Sequence, residues 1–417
     1  MPRISRRLDQ LRPSATVAVA NRAKELRRQG QDVLSFAAGE PDFDTPEPIK
    51  RAAIEALEAG QTRYMPTLGD HETRAVIAEK LVGVNGIPGL TGEHVAISAG
   101  GKHALFVALQ CLIDPPTPDR PPDEVLLPVP AWVSYAPLST LAGGKIVQIP
   151  TTAAGDFKMS PEQLESAITP RSRVLILNSP SNPCGTMYTP DELRALARVL
   201  VGAGESIAPD LVVVSDEIYE RIIYGGIEHL SLASIDGLSD RTVTINGLSK
   251  AYAMTGWRVG YAAAAGEFGL RLIKAMGTLQ GQMTTNITSF NYPAIRVALR
   301  ECDEHVERMR RAFARRAGLI HERVEGIPGL VTPRPTGAFY IFPNIAAHFG
   351  RRTPAGRSIN SPLDFAEAAL AEAKIAVVPG EDFGGCGREH VRLSFACSEE
   401  QINAGMDRLE TFVHSLE

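Results

Sequence analysis

The sequence predicts an α/β chain of two unequal domains: a large one built on a mostly parallel mixed sheet flanked by helices, and a smaller α+β one. Three observations lead there. The chain has 417 residues, too many for one compact core and enough for two of ordinary size. Between about residues 47 and 300, short apolar runs alternate with longer stretches of helical spacing, as in successive βα units. Beyond residue 301 that alternation gives way to a charged stretch and a few short apolar runs.

Six runs of the first region read as strands: 95–98, 124–128, 145–149, 173–178, 211–215 and 242–246. Several are apolar throughout, as expected of strands covered on both faces. Residues 102–113 and 190–201 carry helical spacing between them. In the stretch 114–122 the prolines remove backbone donors and fix φ, so it must be an exposed loop. Residues 301–325 are highly charged with helical spacing and predict a long helix linking two domains. The runs 337–342, 375–379 and 391–395, with a helical pattern among them, predict the smaller domain. The expected division is therefore an N-terminal segment, 1–46, packing with the small domain; a large domain, 47–300; and a small domain, 301–417.

Composition excludes several functions. A net charge of −5 leaves no global basic surface to attract nucleic acid. Arg3, Arg6, Arg7 and Arg12 make the start basic, but no apolar core of signal-peptide length follows them. No run approaches the roughly 18 apolar residues of a membrane span. Five cysteines without a CxxC pair point away from a disulfide framework and from a zinc site. A reducing cytoplasm and no metal are the expectation.

The chemistry is expected where polar residues close the apolar strands, because ligands of open α/β sheets bind beyond the carboxyl ends of the strands. Four runs end in such clusters: Ser98-Ala99-Gly100-Gly101-Lys102, Asn178-Ser179-Pro180-Ser181-Asn182-Pro183, Ser215-Asp216-Glu217-Ile218-Tyr219 and Asn246-Gly247-Leu248-Ser249-Lys250. Gly100-Gly101-Lys102, between a strand and a helix, offers bare amides and a helix N-terminus to an anion. It is no nucleotide P-loop, because Ala96 stands where the first glycine belongs and His103 replaces Ser or Thr. Asp216, alone, would read equally well as a helix cap.

The segment from Gly247 to Gly260, with Lys250 followed eight residues later by Arg258, resembles the lysine attachment signature of the class I/II aminotransferases. The likeness runs from Pro13-Ser14-Ala15-Thr16 to Arg392, in the form found in bacterial aspartate and aspartate/prephenate aminotransferases. That resemblance implies the fold type I of pyridoxal-phosphate (PLP) transferases, with Lys250 holding PLP as a Schiff base and then moving protons. It implies Asp216 at the pyridine nitrogen, Tyr219 and Asn182 at the phenolic oxygen, and Trp132 stacked on the ring. Gly100, Gly101, Lys102 and Arg258 would hold the phosphate, with Tyr64 reaching the phosphate of a neighbouring subunit in a homodimer with shared sites. Arg392 would take the substrate carboxylate as a bidentate pair. Gly39 would approach the substrate through its backbone, and Lys102, near Ser14 and Thr16, would favour acidic side chains. Trp132 and Asn182 would also touch the substrate.

Two departures from the family pattern stand out. Gly247 replaces a hydroxyl residue frequent there, leaving a phosphate contact in doubt, and Ala131 replaces an aromatic one. Cys184 has no assigned role. The implied reaction moves an amino group between an L-amino acid such as aspartate or glutamate and a 2-oxo acid such as 2-oxoglutarate, by a ping-pong cycle. Alternatives on the same fold are aromatic, prephenate or kynurenine aminotransferases and a C–S lyase or decarboxylase. A PLP-binding regulator lacks support, since no basic helix-turn-helix pattern precedes residue 40. A silent homologue would not need the full set Lys250, Asp216, Tyr219, Arg258 and Arg392.

Overall fold

The computed structural model describes residues 4–11 and 15–417. Its strands are β1 (Leu34–Ser35), β2 (Val95–Ser98), β3 (Glu124–Val129), β4 (Lys145–Pro150), β5 (Ser172–Asn178), β6 (Val212–Asp216), β7 (Thr242–Gly247), β8 (Gly260–Ala264), β9 (Tyr340–Ile341), β10 (Ile375–Ala376), β11 (Val378–Pro379) and β12 (Val391–Ser394). Seven form one sheet in the order β2-β8-β7-β6-β5-β3-β4. From β4 through β7 every pairing is parallel, whereas β8 runs antiparallel to both β2 and β7.

Successive residues of the central strands feed two separate cores. Val125 and Leu127, Val174 and Ile176, and Val212 and Val214 pack with Leu105 and Leu109 of the helix Gly101–Leu112 and with Ile273 of the helix Gly266–Gly281. The intervening Leu126, Leu175, Leu177 and Val213 pack on the other face with Leu193, Leu196 and Leu200 of the helix Pro190–Glu205. A strand with apolar neighbours on both sides has no polar face to show. That explains the unbroken apolar runs of the sequence. The helix Pro190–Glu205 is fixed at its start by a capping box between Thr189 and Glu192, a device worth about 1 kcal/mol.

All six predicted strands are present within a residue or two of their expected bounds. One strand of the seven-stranded sheet, β8, went unpredicted, as did the two-residue β1. The β8 sequence, Gly-Tyr-Ala-Ala-Ala, has none of the β-branched residues that mark a strand, yet it is buried between two neighbours. Small residues suit it, because backbone passes close on either side.

The rest of the chain forms a second, smaller assembly. Strands β11, β12 and β9 make an antiparallel sheet, and β1 pairs in parallel with β10. The long helix is Asp303–Glu325, and its Phe313, Ile320 and Val324 pack against Phe339 and Tyr340. From it Arg316 forms a two-pronged bond to Asp42 at 2.7 and 2.9 Å, and it stacks over the rings of Phe43 and Phe313. The loop that follows Gly39 is thereby held to the helix. No helix among the described residues is long and apolar enough to cross a membrane.

Candidate active site

Strand register brings the polar clusters together. Asn178 ends β5 opposite Asp216 at the end of β6, and Asp216 lies opposite Ile245 near the end of β7. Because β8 is antiparallel, it begins where β2 and β7 finish: Gly260 faces Ser98 on one side and Gly247 on the other. A cavity of about 300 Å³ opens above this edge. Its wall includes Gly39, Gly101, Lys102, Trp132, Asn182, Asp216, Tyr219, Lys250, Arg258 and Arg392, ten of the residues singled out in the sequence.

The other two lie elsewhere. Gly100 sits just beneath the wall, with φ +92°, and a Cβ there would meet Arg258 Nη2 at 2.4 Å. Only glycine lets the guanidinium lie flat on that backbone. Tyr64 is 88 % exposed and outside the cavity of its own chain. Ser14 lies outside the described residues, as does the side chain of Thr16.

At one end of the cavity is an anion cradle. The helix Gly101–Leu112 begins at Gly100, whose carbonyl takes the amides of His103 and Ala104. The amides of Gly101 and Lys102 have no carbonyl one turn back, as at any helix start, and the two residues line the cavity with Arg258. Arg258 is steadied by bonds from Nη1 to the Thr255 carbonyl at 2.9 Å and from Nη2 to that of Ala99 at 3.5 Å. Lys102 Nζ lies 4.9 Å from the Trp132 ring centre, and burial together with Arg258 lowers its pKa.

The glycine at 247 has a packing reason. A Cβ there would lie 2.7 Å from the Val259 carbonyl oxygen and 2.9 Å from Gly260 Cα, and one on Gly260 would lie 2.2 Å from the Gly101 nitrogen. The three glycines stack backbone on backbone, carrying the start of the helix down onto the strand ends. No hydroxyl residue fits at 247 in this arrangement. Ser249, also buried, lines the cavity instead.

In the middle of the cavity, Asp216 and Lys250 carry shifted pKa values. Burial pushes the Asp216 carboxyl up to about 6, although bonds from Tyr135 and from the Ile218 amide oppose this. Burial likewise pulls the Lys250 ammonium down to about 8, with Glu40 opposing and Arg392 and Arg258 adding to the effect. Lys250 Nζ donates to the Gly39 carbonyl. Displaced titrations of this kind gather where proton transfer is done.

At the far end Arg392 is 4 % exposed. Its Nη1 donates to Asn182 Oδ1 at 2.9 Å and its Nη2 to the Ala37 carbonyl at 3.2 Å, while its Nε has no partner. Among the described residues no carboxylate pairs with it. A buried guanidinium with a spare donor and no counter-ion is costly unless an anion arrives to meet it. The Tyr340 ring lies 4.6 Å away, and Tyr340 Oη meets Tyr219 Oη at 3.0 Å.

Among the wall residues not singled out in the sequence are Tyr135 and Tyr340, while Asn178 stood there only as the first member of its polar cluster. Tyr135 donates to Asp216 and packs edge-on to Trp132 at 5.3 Å. Asn178 donates to the Asp216 carbonyl at 2.9 Å and accepts the Asn182 amide at 2.9 Å, joining two clusters. Tyr340 comes from the smaller assembly. The spacing Trp132-x-x-Tyr135, which puts both rings on one turn, was the signal available for Tyr135; for Asn178 it was the end of an apolar run.

Known proteins agree with this geometry. Residues 31–409 match the family described as Aminotransferase class I and II. The chain is 41 % identical to an aspartate aminotransferase of Geobacillus stearothermophilus, over 99 % of both chains. It is also 41 % identical to an aspartate/prephenate aminotransferase of Cereibacter sphaeroides, again over 99 % of each. Among solved structures, the aspartate aminotransferase of Thermus thermophilus with maleate superimposes with a TM-score of 0.88 at 41 % identity, covering 99 % of this chain and 100 % of that one. With the lysine, the strand-end carboxylate and the waiting arginine in one cavity, the chain belongs to the class I and II aminotransferase family.

Proposed function

We propose that this chain is a PLP-dependent aminotransferase that exchanges amino groups between aspartate or glutamate and their 2-oxo acids. The observation that carries the reading is the buried Arg392 guanidinium, which has no carboxylate partner among the described residues, in the same cavity as Lys250 and Asp216. The names of the relatives, aspartate and aspartate/prephenate aminotransferases, favour the same substrates.

The cavity fits PLP at three points. Gly101, Lys102 and Arg258 supply the amides and charge that a phosphate needs, over glycines whose Cβ atoms would fill the cradle. Asp216 holds a pyridinium nitrogen best, because that cation offsets the burial which otherwise raises its pKa to about 6. Trp132 would present a ring to stack on, and Asn182 and Tyr219, in the same cavity, would offer polar atoms to the cofactor's phenolic oxygen. When bound, PLP withdraws electrons from the substrate Cα and so makes its proton removable.

Lys250 does the remaining proton work. With a pKa of about 8 its amine exists in both forms near neutrality, so it can anchor the cofactor, then take a proton and return it. Arg392 fixes the α-carboxylate through paired donors, which orients the bond to be broken. Gly39, whose carbonyl meets Lys250, and Tyr340 come from segments packed with the smaller assembly. The chain divides, on this reading, into 1–46, 47–300 and 301–417, and closure of the last part over substrate excludes water. Lys102 favours a second carboxylate.

The active unit is a homodimer in which Tyr64 serves the neighbouring phosphate. Support comes from the 88 % exposure of Tyr64 and from a nearby open groove lined by Ile54, Leu57, Trp257 and Phe290. A cytoplasmic location belongs to the same reading and rests on the cysteine pattern. The test is a donor–acceptor panel with purified protein and PLP. Glutamate formed from aspartate and 2-oxoglutarate supports the reading; ammonia or carbon dioxide released without transfer refutes it. Prephenate in the acceptor set distinguishes the two named kinds of relative.

A further inference from the structure

The turn after β6 has two faces. Asp216 and Tyr219 line the cavity, while Glu217 and Glu220 join a buried polar cluster and are only 2 % and 6 % exposed. Glu217 accepts from Ser231 Oγ at 2.7 and 2.8 Å, from Ser215 Oγ at 2.9 Å and from Asn85 Nδ2 at 3.3 Å. His229 Nε2 lies 3.2 Å from Glu217 Oε2 and 3.8 Å from Glu220 Oε2. Glu220 accepts from Asn85 Nδ2 at 2.6 Å and pairs with the buried Lys80 ammonium. The partners come from the helix His71–Gly83 and the residues just beyond it, from β6, and from the loop before Leu232.

Two carboxylates and a histidine so close together have the makings of a cation site. Here the protein supplies the cation itself: Lys80 already occupies the place beside Glu220. One lysine leaves a single negative charge, which a protonated His229 cancels. Burial alone lowers the His229 pKa, and the bond to Glu217 with the charges of both glutamates more than reverses it.

Such a cluster is a poor way to gain stability, because taking several charges out of water costs about what their pairing returns. What it does give is geometry. Directional bonds from separate segments fix the turn on the side away from the cavity, so the adjoining Asp216 and Tyr219 cannot rotate or retreat. We propose that Glu217 and Glu220 are positioning residues, acting through the turn to hold Asp216 and Tyr219 where the cofactor ring needs them. This rests on the PLP reading above.

The test uses the full chain as Glu217→Gln, Glu220→Gln and the double variant Lys80→Met with Glu220→Gln. Three quantities are measured: PLP affinity of the cofactor-free protein, the pH midpoint of the bound cofactor's visible band, and the melting temperature. Each single variant should weaken PLP by about tenfold and displace the midpoint, as expected when ligand groups shift by a fraction of an ångström. The double variant, which removes the tie to Lys80 without leaving a buried unpaired charge, should stay weakened, because the turn still lacks that bond. Lower melting temperatures with wild-type affinity and midpoint would reduce the cluster to a structural role and overturn the inference. A double variant with wild-type affinity and midpoint would do so too, since the loss in Glu220→Gln would then come from the unpaired lysine alone. If Glu217→Gln does not fold, Ser231→Ala removes two of its bonds without touching charge; a smaller loss in the same direction supports the inference, and no change overturns it. Wild-type protein that takes up no PLP would overturn the functional reading, and the inference with it.

Discussion

Tyr135 donates its phenolic hydrogen to Asp216 Oδ2 at 2.6 Å, with both side chains buried. A hydrogen bond to a charged acceptor is worth about 1.5–3 kcal/mol, which here favours the carboxylate over the acid. Burial pushes Asp216 up to about 6, and the Tyr135 bond is the largest influence holding it down. Tyr135→Phe should therefore raise the Asp216 pKa further, so that the carboxylate is protonated at higher pH. In cofactor-free protein the acid limb of PLP affinity should move upward, with a loss of about tenfold or more near pH 6 and less at pH 8. Titrations with PLP from pH 5 to 9 check this; an acid limb that stays in place would mean that Asp216 is not the group being protonated.

On the proposed reading, Lys250 governs how cofactor-free protein takes up PLP. An amine attacks an aldehyde only when neutral, and burial pulls this one down to about 8. Capture of PLP by cofactor-free protein should therefore speed up with pH to near 8 and then level off. An ordinary lysine would keep gaining towards its usual value of about 10.4. Stopped-flow absorption across pH 6–10 reads the midpoint directly. The same shift means that the unfolded chain binds more protons between the two values, so this lysine makes stability rise with pH across that window. Lys250→Ala should lose the visible band and transamination together while staying folded; retention of either would refute its role.

The sequence disclosed those parts of the site that its local pattern encodes. The clusters that hold Asp216, Asn182 and Lys250 could be found because each closes an apolar run, where polar residues are out of place unless they face a ligand; the roles of the three came from the resemblance to the aminotransferases. Tyr135 could not, because its meaning depends on a partner 81 residues away, and no periodicity records such a pairing. Tyr340 was hidden for a similar reason: it reads as one more apolar residue of a short strand, and only the folded chain carries it to Tyr219 and Arg392. Strand β8 was missed because its alanines and glycines answer to the close approach of neighbouring backbone, not to strand preference. Gly247 shows the opposite case. It looked like a lost phosphate contact, and it is a contact position against Val259 and Gly260 where any side chain would collide.

On the proposed reading, Arg392 and Lys102 divide substrate recognition between them. Arg392→Lys keeps the charge and loses the planar fork, so the KM for aspartate should rise by about tenfold to a hundredfold while PLP stays bound. Arg392→Ala should go further, because Asn182 then loses its 2.9 Å donor as well. Lys102→Ser should weaken acidic substrates more than neutral ones of similar size. Steady-state kinetics with aspartate, glutamate and a neutral amino acid separate the two residues. Equal losses on all three for Lys102→Ser would assign that lysine to the phosphate alone.

Tyr64 gives the sharpest test of a shared site. It is 88 % exposed and has no place in the cavity of its own chain, so any role at the phosphate must be played in another copy. Tyr64→Phe should then weaken PLP binding by about 1 kcal/mol, the worth of a single hydrogen bond. Lys250→Ala should be inactive by itself. A dimer that combines one chain of each variant contains one site with both native residues: Lys250 from the first chain and Tyr64 from the second. Mixing the two proteins under subunit exchange should therefore bring back a site of wild-type PLP affinity, at most one per hybrid dimer. Activity at limiting PLP follows its appearance. If the mixture shows only the sum of the separate variants while mass measurement confirms hybrids, Tyr64 acts within its own chain or not at all.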